Sequence, residues 1–428
     1  MLRAYKCNEL TKNLTNIALQ GWVHELRDLS NIKFILFRDN TGIIQCAIKK
    51  ESKAWDDFKK LSLESVIKIN GKLKKANVRS DETTIKNFEV EVRDIEIINK
   101  ADKLPIPILE KEVNTSLSKR LNNRSLDIRK SKIKAIFKIQ STLINSFRSF
   151  FYKDNFIEIQ PPIMIGTSTE GGTDLFKAKY FEKDAYLAQS PQLYKQLAAI
   201  SWEKVFSTSP VFRAEKHNTV RHLNEARQLD IEVAFTDQFS IMKYLEEAMK
   251  HMVKTVLSEC KEEISLLKVN LKIPKSKYLS YKETIDLLNK NGIKIKQGDD
   301  LEPEAEKKLS EIFKDTIIFV HSWPNKLKPF YIWPLDKDTS AGFDVLYNGM
   351  EISSGGQRVH IPEILIKNIK SKKLNPKNFK WYIDSFRFGA PNHSGWSIGL
   401  ERITMAICNL NNIREACLFP RDRDRLTP

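Results

Sequence analysis

A chain of 428 residues exceeds one ordinary hydrophobic core, so two or three domains are expected, and an apolar share of 41% is that of a globular protein. Charge is lopsided, with 71 Lys+Arg against 54 Asp+Glu and a net +17; residues 1–130 hold 26 Lys+Arg against 18 Asp+Glu, which suits a polyanionic partner, although charge alone favours a lysine-rich solubilising surface. No stretch approaches the ~20 apolar residues that span a bilayer, and Cys7, Cys46, Cys260, Cys408 and Cys417 form neither a CxxC pair nor a zinc-ligand spacing, so reduced thiols are expected.

The opening MLRAYKCNEL lacks the apolar core of a secretory leader, so a cytoplasmic protein is expected. Residues 17–100 read as β structure: IALQGWVHEL, KFILFRD, GIIQCAIK, SVIKINGKL and FEVEVRDIEII are short β-branched runs. Asp39-Asn40-Thr41-Gly42 is a hairpin signal between two of them. Five short strands suit a small barrel of the OB type, whose exposed face binds oligonucleotides. Residues 101–130 are first proline-punctuated, then rich in arginine, and read as a hinge. From Ser131 the apolar residues Ile133, Ile136, Phe137, Leu143, Ile144, Phe147, Phe150 and Phe151 recur at helical spacing, and the strand-like FIEIQPPIMIG follows. A long helix is expected near 241–258, and apolar runs IIFVHSW, PFYIWPL and GFDVLYNGMEISSGG come after it. The organisation expected is residues 1–100 as a barrel, 101–130 as a linker and 131–428 as one larger domain.

Two segments concentrate charge at the edge of apolar runs. FRAEKHNTVRHLNEARQLDIE runs from Phe212 to Glu232, and GLERITMAICNLNNIREACLFPRDRDRLTP runs from Gly399 to the last residue. Each sets an arginine beside a carboxylate: Arg213 with Glu215, and Arg402 with Glu401. One such arginine is usually a surface ion pair. Two of them, with Asp344 and Glu351 seven residues apart in FDVLYNGMEISS, suit a polyphosphate and the hard cation that accompanies it.

These segments resemble motifs 2 and 3 of the class II aminoacyl-tRNA synthetases, and the helix, strand and Pro162 before them resemble motif 1, with Asp154-Asn155 in place of the usual glycine. QSPQLYKQ at 189–196 and SSGGQRVH at 353–360 resemble the aspartyl-tRNA synthetases of archaeal and eukaryotic type, and that likeness runs to the closing FPRDRDRLTP. The resemblance implies an α+β fold: an N-terminal five-stranded OB barrel and a catalytic domain built on an antiparallel sheet flanked by helices. It implies ATP-dependent activation of L-aspartate to the adenylate and transfer to the 3′ end of tRNA(Asp), with Mg2+ as cofactor, in a homodimer.

Carried over residue by residue, the resemblance places Arg213 on the α-phosphate and Arg402 on the γ-phosphate. Ala214, Glu215, Arg221, His222, Leu223, Glu351, Gly399, Leu400 and Glu401 join them around ATP. Ala226 stands where much of the wider family has a phenylalanine under the adenine, so His222 or Arg402 is left to stack there. Asp344, Glu351 and Ser354 are the implied magnesium ligands. Lys195 and Arg358 embrace the side-chain carboxylate of aspartate, while Glu170, Ser190, Gln192, Asp230, Ser354 and Arg213 surround its ammonium and backbone. Asparagine would leave both cations uncompensated, a loss of several kcal/mol.

In the barrel, His24, Arg27, Phe34 and Gln45 fall where the family contacts the anticodon, with Phe34 as a stacking ring or else a barrel core residue. His24 stands at a position the family links to accepting or rejecting tRNA(Asn), and the reading leans toward tRNA(Asp) alone. The alternatives are a relaxed enzyme that also charges tRNA(Asn), and an asparaginyl-tRNA synthetase, which usually lacks the lysine of QLYKQ. An amide-forming paralogue would not need the barrel, and an inactive scaffold would not need the six charged residues Lys195, Arg213, Asp344, Glu351, Arg358 and Arg402.

Overall fold

The computed structural model describes residues 4–109, 115–167 and 175–428. The chain divides into two compact units, Met1–Lys130 and Ser131–Pro428.

The first unit is a barrel of β1 (Asn16–Asp28), β2 (Ile32–Arg38), β3 (Ile43–Lys49), β4 (Val66–Lys75) and β5 (Phe88–Asn99). They run in the order β1-β2-β3-β5-β4, and β4 pairs back onto β1 to close it. Alternating apolar residues meet inside: Ile17, Leu19 and Val23 on β1, Ile35 and Phe37 on β2, Ile44, Cys46 and Ile48 on β3, Ile67 and Ile69 on β4, and Val90 and Val92 on β5. The Asp39 carboxylate makes the turn between β2 and β3, accepting the N–H groups of Thr41 at 2.7 Å and Gly42 at 3.0 Å. The segment expected as a hinge groups with this unit. Ala101 N–H donates to Ser65 Oγ at 3.1 Å, and Arg129 Nη1 to the buried Glu64 at 2.7 Å.

The second unit opens with α1 (Ser131–Lys153) and β6 (Ile157–Glu158). Asn155, between them, has a φ of 61°. This is the left-handed conformation that glycine provides elsewhere and asparagine tolerates. After a small three-stranded sheet come α2 (Gln192–Trp202), β7 (Lys204–Phe212), β8 (Glu225–Ala234) and α3 (Gln238–Glu259). Next are β9 (Lys275–Ser280), α4 (Tyr281–Lys290), α5 (Pro303–Ile312), β10 (Thr316–His321), β11 (Gly342–Tyr347) and β12 (Met350–Gln357). The remainder is α6 (Pro362–Ser371), α7 (Lys380–Arg387), β13 (His393–Gly399) and α8 (Leu400–Cys408).

The eight strands form one sheet in the order β9-β10-β11-β12-β13-β8-β7-β6, antiparallel from β10 to β7 and parallel at both edges. PFYIWPL forms no strand. Pro329 and Pro334 lack the donor a ladder needs, and only Ile332 and Pro334 make isolated bridges. The two faces of the sheet have different tasks. Phe206, Ile231 and Trp396 are directly opposed across β7, β8 and β13, and Phe147 of α1 packs edge-on against Phe206 and Trp396 at 5.7 and 6.2 Å. Because strand side chains alternate, Asp230 and Glu232, flanking Ile231, point to the other face. Among the described residues no helix is long and apolar enough to cross a membrane, and all five cysteines are free.

Candidate active site

The floor of the site is two rows of residues running across the sheet. Asp230, Ser397, Ser354 and Asp344 are opposed in turn on β8, β13, β12 and β11. Glu232, Gly395, Gly356 and Gly342 form the next row. Opposed residues share a face, so the glycines leave room for the large charged groups beside them. A Cβ on Gly395 would come 2.1 Å from Glu232 Oε2.

Four buried charges occupy that room. Lys195 of α2 donates to Asp230 Oδ1 at 2.9 Å and to the Trp396 carbonyl at 3.1 Å, and lies 3.5 Å from Glu232. Arg358 grips Glu232 with Nε at 2.8 Å and Nη2 at 3.2 Å. Burial works against the charge on Glu232, but Arg358 and Lys195 outweigh it and hold its carboxyl below the usual range. Burial wins at Asp230, whose carboxyl lies above its usual range. Asp230 therefore stands behind Lys195 rather than in a cavity wall, and Glu232, to which the sequence reading gave no role, is the anchor of Arg358.

In front of these charges is a cavity of about 240 Å³ lined by Ser190, Gln192, Lys195, Arg213, Ser354 and Arg358, and by Asp344, Glu351, Lys328 and Tyr331. Gln192 is steadied by Gln196 at 2.9 Å, which also meets His393 at 2.9 Å. Burial lowers His393 to about 4, so it is neutral. Glu170 lies outside the described residues.

A second cavity, of about 280 Å³, adjoins the first and shares Arg213, Gln228, Glu351, Ser354 and Ser397 with it. Arg213, Glu215, Arg221, His222, Leu223, Glu351, Gly399, Glu401 and Arg402 line it; Ala214 and Leu400 do not. Arg221 is held by Glu306 at 2.6 Å and the Gly349 carbonyl at 3.0 Å, and Arg402 by the Glu351 carbonyl at 3.0 Å. Burial lowers the pKa of His222 despite Glu215 nearby. Ala226 lies in the wall with Leu223, Ile352 and Ile413, an apolar bed beside Arg213, Arg221, Arg227 and Arg402. Gln228 Oε1, Ser353 Oγ and Ser397 Oγ are buried without a hydrogen-bond partner in these walls, a pattern that marks a place for a ligand.

Asp344 and Ser354 are opposed on β11 and β12, and Glu351 lies beyond an irregularity at Val345/Leu346. Two carboxylates and a hydroxyl are an all-oxygen set that fits magnesium, which keeps waters and substrate phosphates as its remaining ligands. Among the described residues no group of three or more His, Cys, Asp or Glu could hold a metal. Burial pushes Asp344 up to about 7, against the pull of Lys328.

In the barrel, register puts Arg27 opposite Phe34, and Gln45 opposite Leu36 two residues on, so Arg27, Phe34 and Gln45 share one face. Arg27 is held by Glu25 at 2.9 Å and Gln45 by Glu89 at 3.0 Å. Phe34 is half-buried and outside the barrel core. His24 is not with them. It sits at a register shift between Val23 and Glu25, outside the barrel core, where it is 7% exposed and 3.1 Å from Arg38. Burial and Arg38 lower its pKa. Phe34→Ala should therefore melt like the wild type and keep pyrophosphate exchange, yet lose tRNA affinity by ~1–3 kcal/mol, the worth of one stacked base. Unchanged charging kinetics in a well-folded variant would remove Phe34 from RNA binding.

A family model for class II tRNA synthetases (D, K and N) matches residues 116–423, and a model for the OB-fold nucleic acid binding domain matches residues 17–98. The chain is 42% identical to the aspartate–tRNA(Asp) ligase of Thermoplasma volcanium, over 98% of each protein. It is 43% identical to the aspartate–tRNA(Asp/Asn) ligase of Methanopyrus kandleri, over 96% of each. Among solved structures, the asparaginyl-tRNA synthetase of Pyrococcus horikoshii complexed with asparaginyl-adenylate superposes with a TM-score of 0.93 at 36% identity, covering 100% of both chains. With two adjoining cavities on one sheet face, an OB barrel before them and relatives of this extent, the chain belongs to the class II tRNA synthetases of the D, K and N group.

Proposed function

We propose that the protein is an aspartate–tRNA ligase. The observation that carries the amino-acid choice is the buried pair Lys195 and Arg358 in the wall of a cavity that shares Arg213 with the arginine-lined one. An oxygen of the aspartate α-carboxylate attacks the α-phosphorus of ATP; the bond from that phosphorus to the bridging oxygen breaks and pyrophosphate leaves. Arg213, between the cavities, stabilises the charge that gathers on the α-phosphoryl oxygens. Arg402 binds the terminal phosphate. Asp344, Glu351 and Ser354 would hold Mg2+, which supplies charge neutralisation to the phosphates when bound. The 3′-terminal ribose hydroxyl of tRNA then attacks the carbonyl carbon and AMP departs. No protein nucleophile is needed, because both attacking groups belong to substrates.

Arg27, Phe34 and Gln45 read the anticodon in this proposal, and His24 acts through Arg38, the residue it contacts. The aspartate–tRNA(Asp/Asn) name of the Methanopyrus relative favours a second reading, in which tRNA(Asn) is also charged with aspartate. The asparaginyl reading is disfavoured by two buried cations facing the amino-acid cavity. The exposed apolar residues Tyr152, Ile157, Ile163 and Met164, on and beside the edge strand β6, support a homodimer. Aminoacylation of tRNA(Asp) and tRNA(Asn) transcripts with labelled aspartate and asparagine tests all of this. The expected result is aspartate on tRNA(Asp); asparagine on either tRNA would overturn the assignment, and equal aspartate on both would establish the relaxed enzyme.

A further inference from the structure

Lys328 has no part in the reaction as described, yet its ammonium is caged at the centre of the site. Nζ lies 2.5 Å from Asp344 Oδ2 and 4.3 Å from the centroid of the Trp323 ring. Its stem runs over Gly342, where an added Cβ would come 2.9 Å from Lys328 Cγ. Lys195 and Arg358 are anchored on Asp230 and Glu232, behind the cavity. Lys328 instead sits on a carboxylate proposed for the metal, and Arg402 sits on the other, 3.4 Å from Glu351 Oε2. Each proposed carboxylate ligand therefore carries a protein cation.

We propose that Lys328 is a positioning residue that exchanges with the metal ion: it neutralises Asp344 while no divalent cation is bound and leaves that oxygen when one takes it. The inference rests on the reading of Asp344 and Glu351 as metal ligands. Magnesium binds carboxylate oxygen at about 2.0–2.1 Å, so an ammonium still in contact with the same oxygen would stand only ~4 Å from a doubly charged ion, a strongly repulsive arrangement between largely buried groups. A lysine can yield, since its stem is flexible and its charge compact. Arg402 is drawn from Glu351 by the nucleotide's phosphates, and Lys328 is the part of the exchange that the metal itself must drive. Without nucleotide the site thus holds metal weakly, and the metal enters with the nucleotide.

The test is Mg2+ binding by calorimetry on the full-length protein, without nucleotide and with a non-hydrolysable ATP analogue, for wild type, Lys328→Met and Lys328→Arg. Lys328→Met should bind Mg2+ at least roughly tenfold more tightly than wild type without nucleotide, because a competing cation is gone, while Lys328→Arg should stay close to wild type. Saturating wild type with Mg2+ should shift an emission component that disappears in Trp323→Phe, as the ammonium leaves the ring. Equal or weaker Mg2+ binding by a folded Lys328→Met overturns the exchange, and so does an unchanged Trp323 emission. Should Lys328→Met fail to fold, the emission measurement on wild type decides alone. No Mg2+ uptake by any of the proteins, even with the ATP analogue, would instead overturn the metal assignment of Asp344 and Glu351.

Discussion

Replacing Arg213 by alanine should lower aspartate-dependent pyrophosphate exchange by about 100- to 1,000-fold, the range for removing one preorganised donor from developing charge. The position of the guanidinium is the reason. It is the arginine that borders both cavities, so it stands where the two substrates meet. Its ion pair with Glu215 is long, at 4.0 Å, and a third of its side chain is exposed, so little stability depends on it. The melting temperature should move little while exchange collapses. Near-normal exchange in Arg213→Ala would remove the proposed activation chemistry.

The second large effect is expected at Arg358. Arg358→Met leaves Glu232 fully buried with only Lys195 at 3.5 Å to offset it. Breaking a buried pair by removing one partner costs about 3–5 kcal/mol, so the single variant should be markedly destabilised. Its preference for aspartate over asparagine in adenylate formation should fall on the order of 100-fold, since the site loses a charge that only a carboxylate satisfies. Arg358→Met with Glu232→Met separates the two losses. The double variant should recover much of the stability, because a buried ion pair replaced by apolar groups of similar size is often neutral, but not the selectivity. A double variant that still prefers aspartate as the wild type does would show that Arg358 does not choose the amino acid.

The barrel strands were legible because each is a short β-branched run, but the runs left Phe34 open between a stacking ring and a core residue, and only the folded register separates it from the inward Ile35 and Phe37. The place of His24 was not, because one extra residue in β1 breaks the alternation between Val23 and Arg27, and composition carries no mark of a bulge. Arg213, Arg402, Lys195 and Arg358 were found through the short segments that contain them. Glu232 stood in plain view: it follows Asp230 by two residues in LDIE, so a strand would put both on one face. Lys328 had no such signal. Its partner is 16 residues away and meets it only through the fold. The sheet order was equally hidden, because β8 and β13 lie side by side although more than half of the second unit's sequence separates β8 from β13.

The wall that the two cavities have in common has a consequence for inhibitors. Small fragments found separately for the nucleotide side and the amino-acid side would each draw on Arg213, Gln228, Glu351, Ser354 and Ser397. A linked compound can use each of those groups only once. Its affinity should fall short of the sum of its halves, since contributions from shared partners do not add. Selectivity between amino acids would have to come from the end of the compound that reaches Lys195 and Arg358, where nothing is shared.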